Sequence, residues 1–499
     1  MLQRLVLLFA ALLPASLCAQ TTRLVVFYDK PASLPLVQQN ARWFGARGLR
    51  NMPHLNASIL TVDNNVEQIT ATAMRMQPGV LAVVRDRYVS GHALRVRGVR
   101  ELHPFIESIG APRRSLASSS NPTTVDAAYN SPAGWAVRAS GGYGNSIAGG
   151  PSVGPWNSTR GAGVRIAVLD SGIDSNHPDL INNVAINLSE VDQTALPSPC
   201  DDGSPQDQQG HGTWVASLAA GALGGGETVG VAPEATLLNI KVLQRMPAIG
   251  QSSTLAACEA GDTGGLLSWV LTGINDALAQ HADVISLSLG TLVDLTTGDG
   301  AGWKTSFDRV TYAAQQAGTV IIAATGNDGI DLSTGRYIEL PSQARGVLAV
   351  TATTNADCVE NPKPNAICAA GPVARASYAN FNAPNSIAAP GGALPEGADD
   401  ATSGWIFGAC SSGIANTTDG LPASGKSFGC FGLGHVAYVQ AMGTSASAPL
   451  LAGAAALLKA AHPAWSAAQI ITVLQTSATP SIYMSERQLN LPAALYATP

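Results

Sequence analysis

The stretch VRIAVLDSGID, Val164 to Asp174, is apolar from Val164 to Leu169 except for Arg165, then stops on an aspartate and a Ser-Gly turn. A run this short and this apolar, without alternation, predicts a strand covered on both faces, as in a parallel sheet. Four similar runs follow: TLLNIKVL (Thr236 to Leu243), ADVISLSLG (Ala282 to Gly290), TVIIAATGN (Thr319 to Asn327) and GVLAVTA (Gly346 to Ala352). Between them, Leu266 to Gln280 and Phe307 to Gln316 have helical spacing. Strands alternating with helices predict an α/β fold, a doubly wound, mostly parallel sheet whose ligands bind beyond the carboxyl ends of its strands.

Bulk composition allows a large core. Of 499 residues, 46% are apolar and only 12% charged, and the net charge of −6 argues against a nucleic-acid binder. The N-terminus, MLQRLVLLFAALLPASLCAQ, has one basic residue, Arg4, an apolar run from Leu5 to Leu13, and small residues around Ala15 to Ala19. That predicts a signal peptide over residues 1–19 and a secreted protein. A lipoprotein reading at Cys18 is weakened by Leu17, where a small residue is wanted. Leu450 to Ala461 is too short for a membrane span and reads as a buried helix. Beyond Cys18 there are six cysteines, an even number that fits disulfides in an exported chain. Cys358–Cys368 and Cys410–Cys430 are the short-loop pairings, and no metal-ligand spacing involves a cysteine.

Thr22 to Gly91 reads as a separate small α+β module. LVVFY (Leu24 to Tyr28), ASILTV (Ala57 to Val62) and VLAVVRDRYV (Val80 to Val89) predict strands, with helical spacing over Leu36 to Arg47 and Val66 to Met76. A βαββαβ, ferredoxin-like order is expected. Residues 92–150, rich in Arg, Ser, Gly and Asn, read as a linker and approach segment, and 151–499 as the main domain.

Four polar residues stand where chemistry could be done. Asp170 ends a buried strand, although an aspartate in a turn is usually structural. His211, in QGHGTWVAS, opens an apolar helix, although a lone histidine among eight is usually structural too. Asp174 and His177 are their nearest competitors. Asn327 ends another buried strand. Ser445, in GTSASAP, opens the helix that runs on through LLAGAAALLKAA; serine there is commonly only a cap. Together they make an acid, a base, an oxyanion donor and a nucleophile, in the chain order Asp, His, Ser known for such triads.

These stretches, with LSLG ending at Gly290, resemble the subtilisin-like serine peptidases (subtilases, peptidase family S8). The resemblance spans roughly Val164 to Thr476 and implies a subtilisin-like fold. It makes Asp170 the orienting acid, His211 the general base, Ser445 the nucleophile and Asn327 the oxyanion donor. It also implies that Ser288, Leu289 and Gly290 bind substrate backbone as an added strand, opposite a pocket wall of Ala324, Thr325 and Gly326. Thr22 to Gly91 becomes an inhibitory propeptide, cut somewhere between about Gly91 and Asn130; PRR at 112–114 could mark cleavage by another enzyme. The expected partners are polypeptide substrates and the chain's own propeptide, with no membrane span and a monomeric state. No cofactor is required for the chemistry. Structural calcium is common in the family, with Asp179, Asp201, Asp202 and Asp207 as candidate ligands. Activity should rise with pH through about 6.5 as the base becomes neutral.

Two departures stand out: Trp214 replaces a customary histidine, and Ser445 is not followed by methionine. GTSASAP also resembles the acid-active sedolisins, but those carry glutamate and aspartate where this chain has His211 and Asn327. A peptide-binding pseudo-peptidase should lack one of the four groups. An α/β-hydrolase esterase should show GxSxG and the order Ser, Asp, His; neither is present. Asn56, Asn157, Asn187 and Asn416 lie in N-x-[ST] sequons.

Overall fold

The computed structural model describes residues 21–91, 95–98, 129, 134–140, 154–355, 373–392, 405–413 and 428–499. Residues 1–19, PRR 112–114, Cys358, Cys368 and Asn416 lie outside them. Two compact units are formed. The second comprises Met52–Leu55 and the described chain from Asp86 onward.

The first unit is a four-stranded sheet carrying two helices. In chain order these are β1 (Thr21–Tyr28), α1 (Leu34–Trp43), β2 (Ala46–Met52), β3 (Ala57–Asp63), α2 (Glu67–Arg75) and β4 (Val80–Arg85), with sheet order β2-β3-β1-β4. β1 is antiparallel to both β3 and β4, and Leu24, Val26, Val37, Ala41, Leu60, Met74 and Val83 form the core beneath the helices. The first helix stops earlier than its periodicity suggests, because Gly45 takes φ +93 and turns the chain into β2.

VLAVVRDRYV is not one strand. It breaks at Asp86, whose carboxylate accepts the Ser268 N–H (2.9 Å) and hydroxyl, and a new strand, β5 (Tyr88–Gly91), belongs to the second unit. Within the expected linker, Arg95–Gly98 forms another strand, β6.

The second unit is built on an eight-stranded sheet. Its members are β7 (Arg165–Asp170), β8 (Val184–Ser189), β9 (Thr236–Lys241), β12 (Val284–Leu287), β14 (Val320–Ala324), β16 (Val347–Asn355), β17 (Val373–Arg375) and β18 (Ser386–Pro390). All neighbours are parallel except β17, which returns antiparallel to β16. β7 is flanked by β9 and β12, so strand order reverses at β7 and opens a crevice beyond its carboxyl end.

Four helices pack on these strands, α3 (His211–Ala220), α4 (Leu267–Ala279), α5 (Gly298–Gln316) and α6 (Thr444–Ala461), and α3 and α6 begin at the crevice. α6 packs against β12, β14, β16 and α3. Its Leu450, Leu451, Leu457 and Leu458 are fully buried, each contributing about 1.5–3 kcal/mol. α5 begins nine residues before Phe307, because Thr297 caps it and its glycine-rich first turns carry no apolar period.

A second sheet runs β10-β11-β5-β13-β15, with β10 (Leu243–Met246), β11 (Asp262–Leu266), β13 (Leu289–Asp294) and β15 (Tyr337–Leu340). A third joins β19 (Ile406–Ala409), β20 (Tyr438–Met442) and β6. Two disulfides are described: Cys410–Cys430, as the spacing suggested, and Cys200–Cys258.

Candidate active site

Asp170, His211 and Ser445 come from three elements and meet at the crevice. Asp170 is the last residue of β7, and its Oδ1 also accepts the Ser171 N–H at 2.7 Å. His211 is the first residue of α3. The preceding Gly210 takes φ +103, where a side chain would be strained, and a Cβ there would lie 2.6 Å from Cys410 Sγ. Gly212 lets α3 cross the Ser-Gly turn after β7, since a Cβ would fall 2.0 Å from the Gly172 carbonyl oxygen. The two glycines thus set the imidazole between the acid and the serine. His211 Nδ1 lies 2.7 Å from Asp170 Oδ1, and its Nε2 lies 2.9 Å from Ser445 Oγ. All three residues are buried.

Ser445 sits in the first turn of α6, where the helix dipole favours negative charge. Pro449 has no N–H to offer the Ser445 carbonyl four residues earlier. That carbonyl instead accepts the Ser288 hydroxyl at 2.9 Å, while Ser445 Oγ lies 3.3 Å from the Ser288 carbonyl. The proline thereby frees the bond that ties the serine to the end of β12.

Asn327 follows β14 through a tight turn. Its side-chain oxygen accepts both the Thr444 N–H (3.0 Å) and hydroxyl (2.9 Å), which fixes the amide's orientation beside Ser445. Asn380, not foreseen from the sequence, clamps this turn. Its amide nitrogen donates to the Thr325 carbonyl, and its oxygen accepts from the Asp328 and Ile330 N–H groups. A Cβ on Gly326 would lie 2.5 Å from that nitrogen. Thr325 is fully buried and its hydroxyl donates to the Asn380 carbonyl, so the segment Ala324 to Gly326 presents mainly backbone.

Burial alone would pull the His211 pKa down. The charge of Asp170 and its hydrogen bond outweigh that, aided by Asp262 and Asp207, and the net shift is upward. Asp207 itself is wholly buried. Desolvation raises its pKa although its oxygens accept from Thr213, Gly210, Gln209 and Ser171. It thus orders the loop leading into His211, a role the sequence does not reveal.

Two further groups lie behind His211. The Phe431 ring meets the imidazole edge-on at 6.4 Å, and the Phe431 N–H donates to the Gln209 carbonyl. The fully buried Arg245 donates to the carbonyls of Cys258, Gln208, Glu259 and Phe431. Trp214 does not enter the crevice: its indole N–H donates to the Ile406 carbonyl of β19, and its ring is 6.0 Å from His211. The competitors are engaged elsewhere. Asp174 binds the Ser412 N–H and hydroxyl, and His177 contacts the Ala437 carbonyl.

The four candidate calcium ligands do not make one donor set. Asp201 is paired with the buried Lys241 ammonium at 2.9 Å, and Asp207 is consumed by its own loop. Asp202 accepts from Gln208 and Ser204, while Asp179 lies 3.7 Å from His177. Among the described residues, no group of three or more His, Cys, Asp or Glu converges as a metal site.

Ser288, Leu289 and Gly290 lead from β12 into β13, whose first residues pair with the chain's own β5: Leu289 with Gly91 and Gly290 with Ser90. On its other edge β5 pairs with β11, and the Gly91 N–H donates to Thr263 Oγ1 at 2.9 Å. A Cβ on Gly91 would lie 3.2 Å from His211 Cε1.

A carboxylate, an imidazole and a hydroxyl in hydrogen-bonded series, beside an amide donor and a helix N-terminus, form the arrangement with which serine hydrolases attack carbonyl carbons. The chain belongs to the subtilase family (peptidase S8), which residues 161–493 match. It is similar to subtilisin of Bacillus pumilus, with 30% identity over 338 residues, 67% of this chain and 91% of that one. Identity to subtilisin NAT of Bacillus subtilis subsp. natto is also 30%, over 66% of that protein's length. Among solved structures, the fold resembles the epidermin leader peptide processing protease of Staphylococcus aureus. The TM-score is 0.61 at 18% identity, covering 95% of this chain and 98% of that one. It also resembles fervidolysin of Fervidobacterium pennivorans, a keratinolytic enzyme, with a TM-score of 0.60 at 19% identity, covering 96% and 61%. At such identities the likeness is one of fold. Among the described residues, no helix is long and apolar enough to cross a membrane.

Proposed function

We propose that the chain is a secreted serine endopeptidase, made as a self-processing zymogen. Ser445 is the nucleophile, His211 the general base, Asp170 the acid that orients it, and Asn327 the side-chain donor to the oxyanion. The reading rests on the unbroken relay from Asp170 through His211 to Ser445, at 2.7 and 2.9 Å. His211 takes the Ser445 proton as Oγ attacks the substrate carbonyl, then returns it to the leaving amine. Water resolves the acyl-enzyme by the same base. Asn327, held at its oxygen by Thr444, turns its NH2 toward the developing oxyanion, an interaction worth about 3 kcal/mol at comparable sites.

Ser288 to Gly290 supply main-chain pairing to an extended substrate. The slot between β11 and β13 holds β5, which supports the leader segment acting as an intramolecular inhibitor. The apolar N-terminus and two disulfides support export.

A fluorophosphonate probe applied to processed protein at about pH 8, with the label located by peptide mapping, tests the assignment. Label on Ser445 that disappears in His211→Ala is expected. No label once the leader is gone would favour a pseudo-peptidase, and labelling confined to acid would revive the sedolisin alternative.

A further inference from the structure

The chain is paired on both sides of Ser445. Before it, β5 is the middle strand of β10-β11-β5-β13-β15 and ends at Gly91, against His211 and Leu289. Four residues later, β6 begins on β20, antiparallel, with Arg95 opposite Met442, Val96 opposite Ala441, Arg97 opposite Gln440 and Gly98 opposite Val439. β20 ends at Met442, three residues before Ser445, so β6 starts nearest the serine and runs away from it.

A polypeptide whose scissile carbonyl sits at Ser445 has its acyl half in the β11/β13 slot. The chain itself, leaving that slot at Gly91, takes up β20 four residues later, and the leaving half of a substrate follows the same path. The other edge of β20 is taken by β19, with Ile406 opposite Ala441 through Ala409 opposite Tyr438. The edge held by β6 is the one left for a substrate.

Taking the peptidase reading as given, we propose that Arg95–Gly98 is a second inhibitory strand, distinct from β5, which occupies the leaving-group side of the cleft and outlasts the first cleavage. A cut that separates the leader near Gly91 frees β5 together with the first unit. It leaves β6 on the mature side of the cut, covalently joined to the enzyme. A tethered strand of this kind competes at an effective concentration of about millimolar, against substrates present at far less. Full activity on long substrates then requires β6 to be displaced or removed by a second cleavage beyond Gly98. Small leaving groups that never reach β20 escape the block. In each cleavage the carbonyl–nitrogen bond breaks, and water supplies hydroxyl to the acyl part and a proton to the amine.

The test compares processed wild type with Val96→Pro and Arg97→Pro. Neighbouring residues alternate in their bonding to an antiparallel partner, so one of the two prolines removes an N–H that bonds to β20. Two substrates share the same acyl-side tetrapeptide. One ends in p-nitroanilide, and the other is an internally quenched peptide with four residues on the leaving side. At least one variant should raise kcat/KM on the long peptide by on the order of tenfold, mainly through KM, with p-nitroanilide turnover within about twofold of wild type. Unchanged ratios in both variants, or equal changes on both substrates, would overturn the second strand while leaving the peptidase intact. Absence of p-nitroanilide turnover in processed wild type would instead overturn the peptidase reading itself.

Discussion

The disulfide Cys410–Cys430 is seated directly behind His211, and breaking it should cost turnover more than its share of stability. Gly210, the residue before His211, has room for no side chain because Cys410 Sγ and the Cys430 backbone lie within about 3 Å of where a Cβ would be. The next residue, Phe431, takes the left-handed φ of 47, holds the imidazole edge, and is tied to Gln209 and Arg245. Cleaving the disulfide lets Phe431 relax toward ordinary backbone values and leaves Gly210 unsupported. His211 then loses part of the wall that fixes its ring.

The stability term follows from the closed loops. For a sequence separation of 20, the chain-entropy relation gives about 3.3 kcal/mol at 25 °C. For Cys200–Cys258, separated by 58, it gives about 4.2 kcal/mol. Stability alone therefore ranks the second bridge as the greater loss. Turnover should rank them the other way. Cys410→Ala/Cys430→Ala should lower kcat by about 10- to 100-fold through misplacement of the base, and Cys200→Ala/Cys258→Ala by far less. Denaturant midpoints and active-site-titrated kcat, measured on both double variants well below their unfolding transitions, give the comparison. If kcat falls in the same order as stability, the reasoning about Gly210 and Phe431 is wrong.

Asp170→Asn keeps the shape beside His211 but removes its charge. The upward pKa shift depends on that charge, and burial pulls the other way. The alkaline-rising limb of kcat/KM should therefore lie above about 6.5 in wild type and move down in the variant, while kcat falls roughly 10⁴-fold. A limb that stays put would refute the account of the shift. Asn327→Ala should lower kcat by about 10²- to 10³-fold with little change in KM. Thr444→Val, which removes one of the two bonds orienting the amide, should lower it in the same direction by less; a rise in KM alone, seen in steady-state kinetics, would count against an oxyanion role.

What could be read in the chain is what a residue's immediate neighbours impose. β7, β12 and β14 are legible because strands covered on both faces are almost wholly apolar: β7 is polar only at its ends, β12 only at the small Ser286, and β14 nowhere. His211 and Ser445 are legible for a related reason: glycine and small residues crowd them where helix starts must lie against other backbone. The edge strand β8 lies outside the fully apolar runs that mark the central strands: VAINLS alternates Val184, Ile186 and Leu188 with Ala185, Asn187 and Ser189 and is only half buried. The groups that hold the site in place were not legible. Asn380 acts on a turn more than 50 residues earlier, and Phe431 contacts Arg245 across 186 residues and His211 across an even longer span. Their neighbours in sequence place no demand on their identity. The split of VLAVVRDRYV shows the same limit from another side. Its flanks, VLAVV and YV, both favour strand, and the Asp86 carboxylate at the corner is held by Ser268, 182 residues away. A residue that performs chemistry must be exposed to a crevice by some local device, and the device leaves a trace. A residue that positions another needs only a partner, and the partner can be anywhere in the chain.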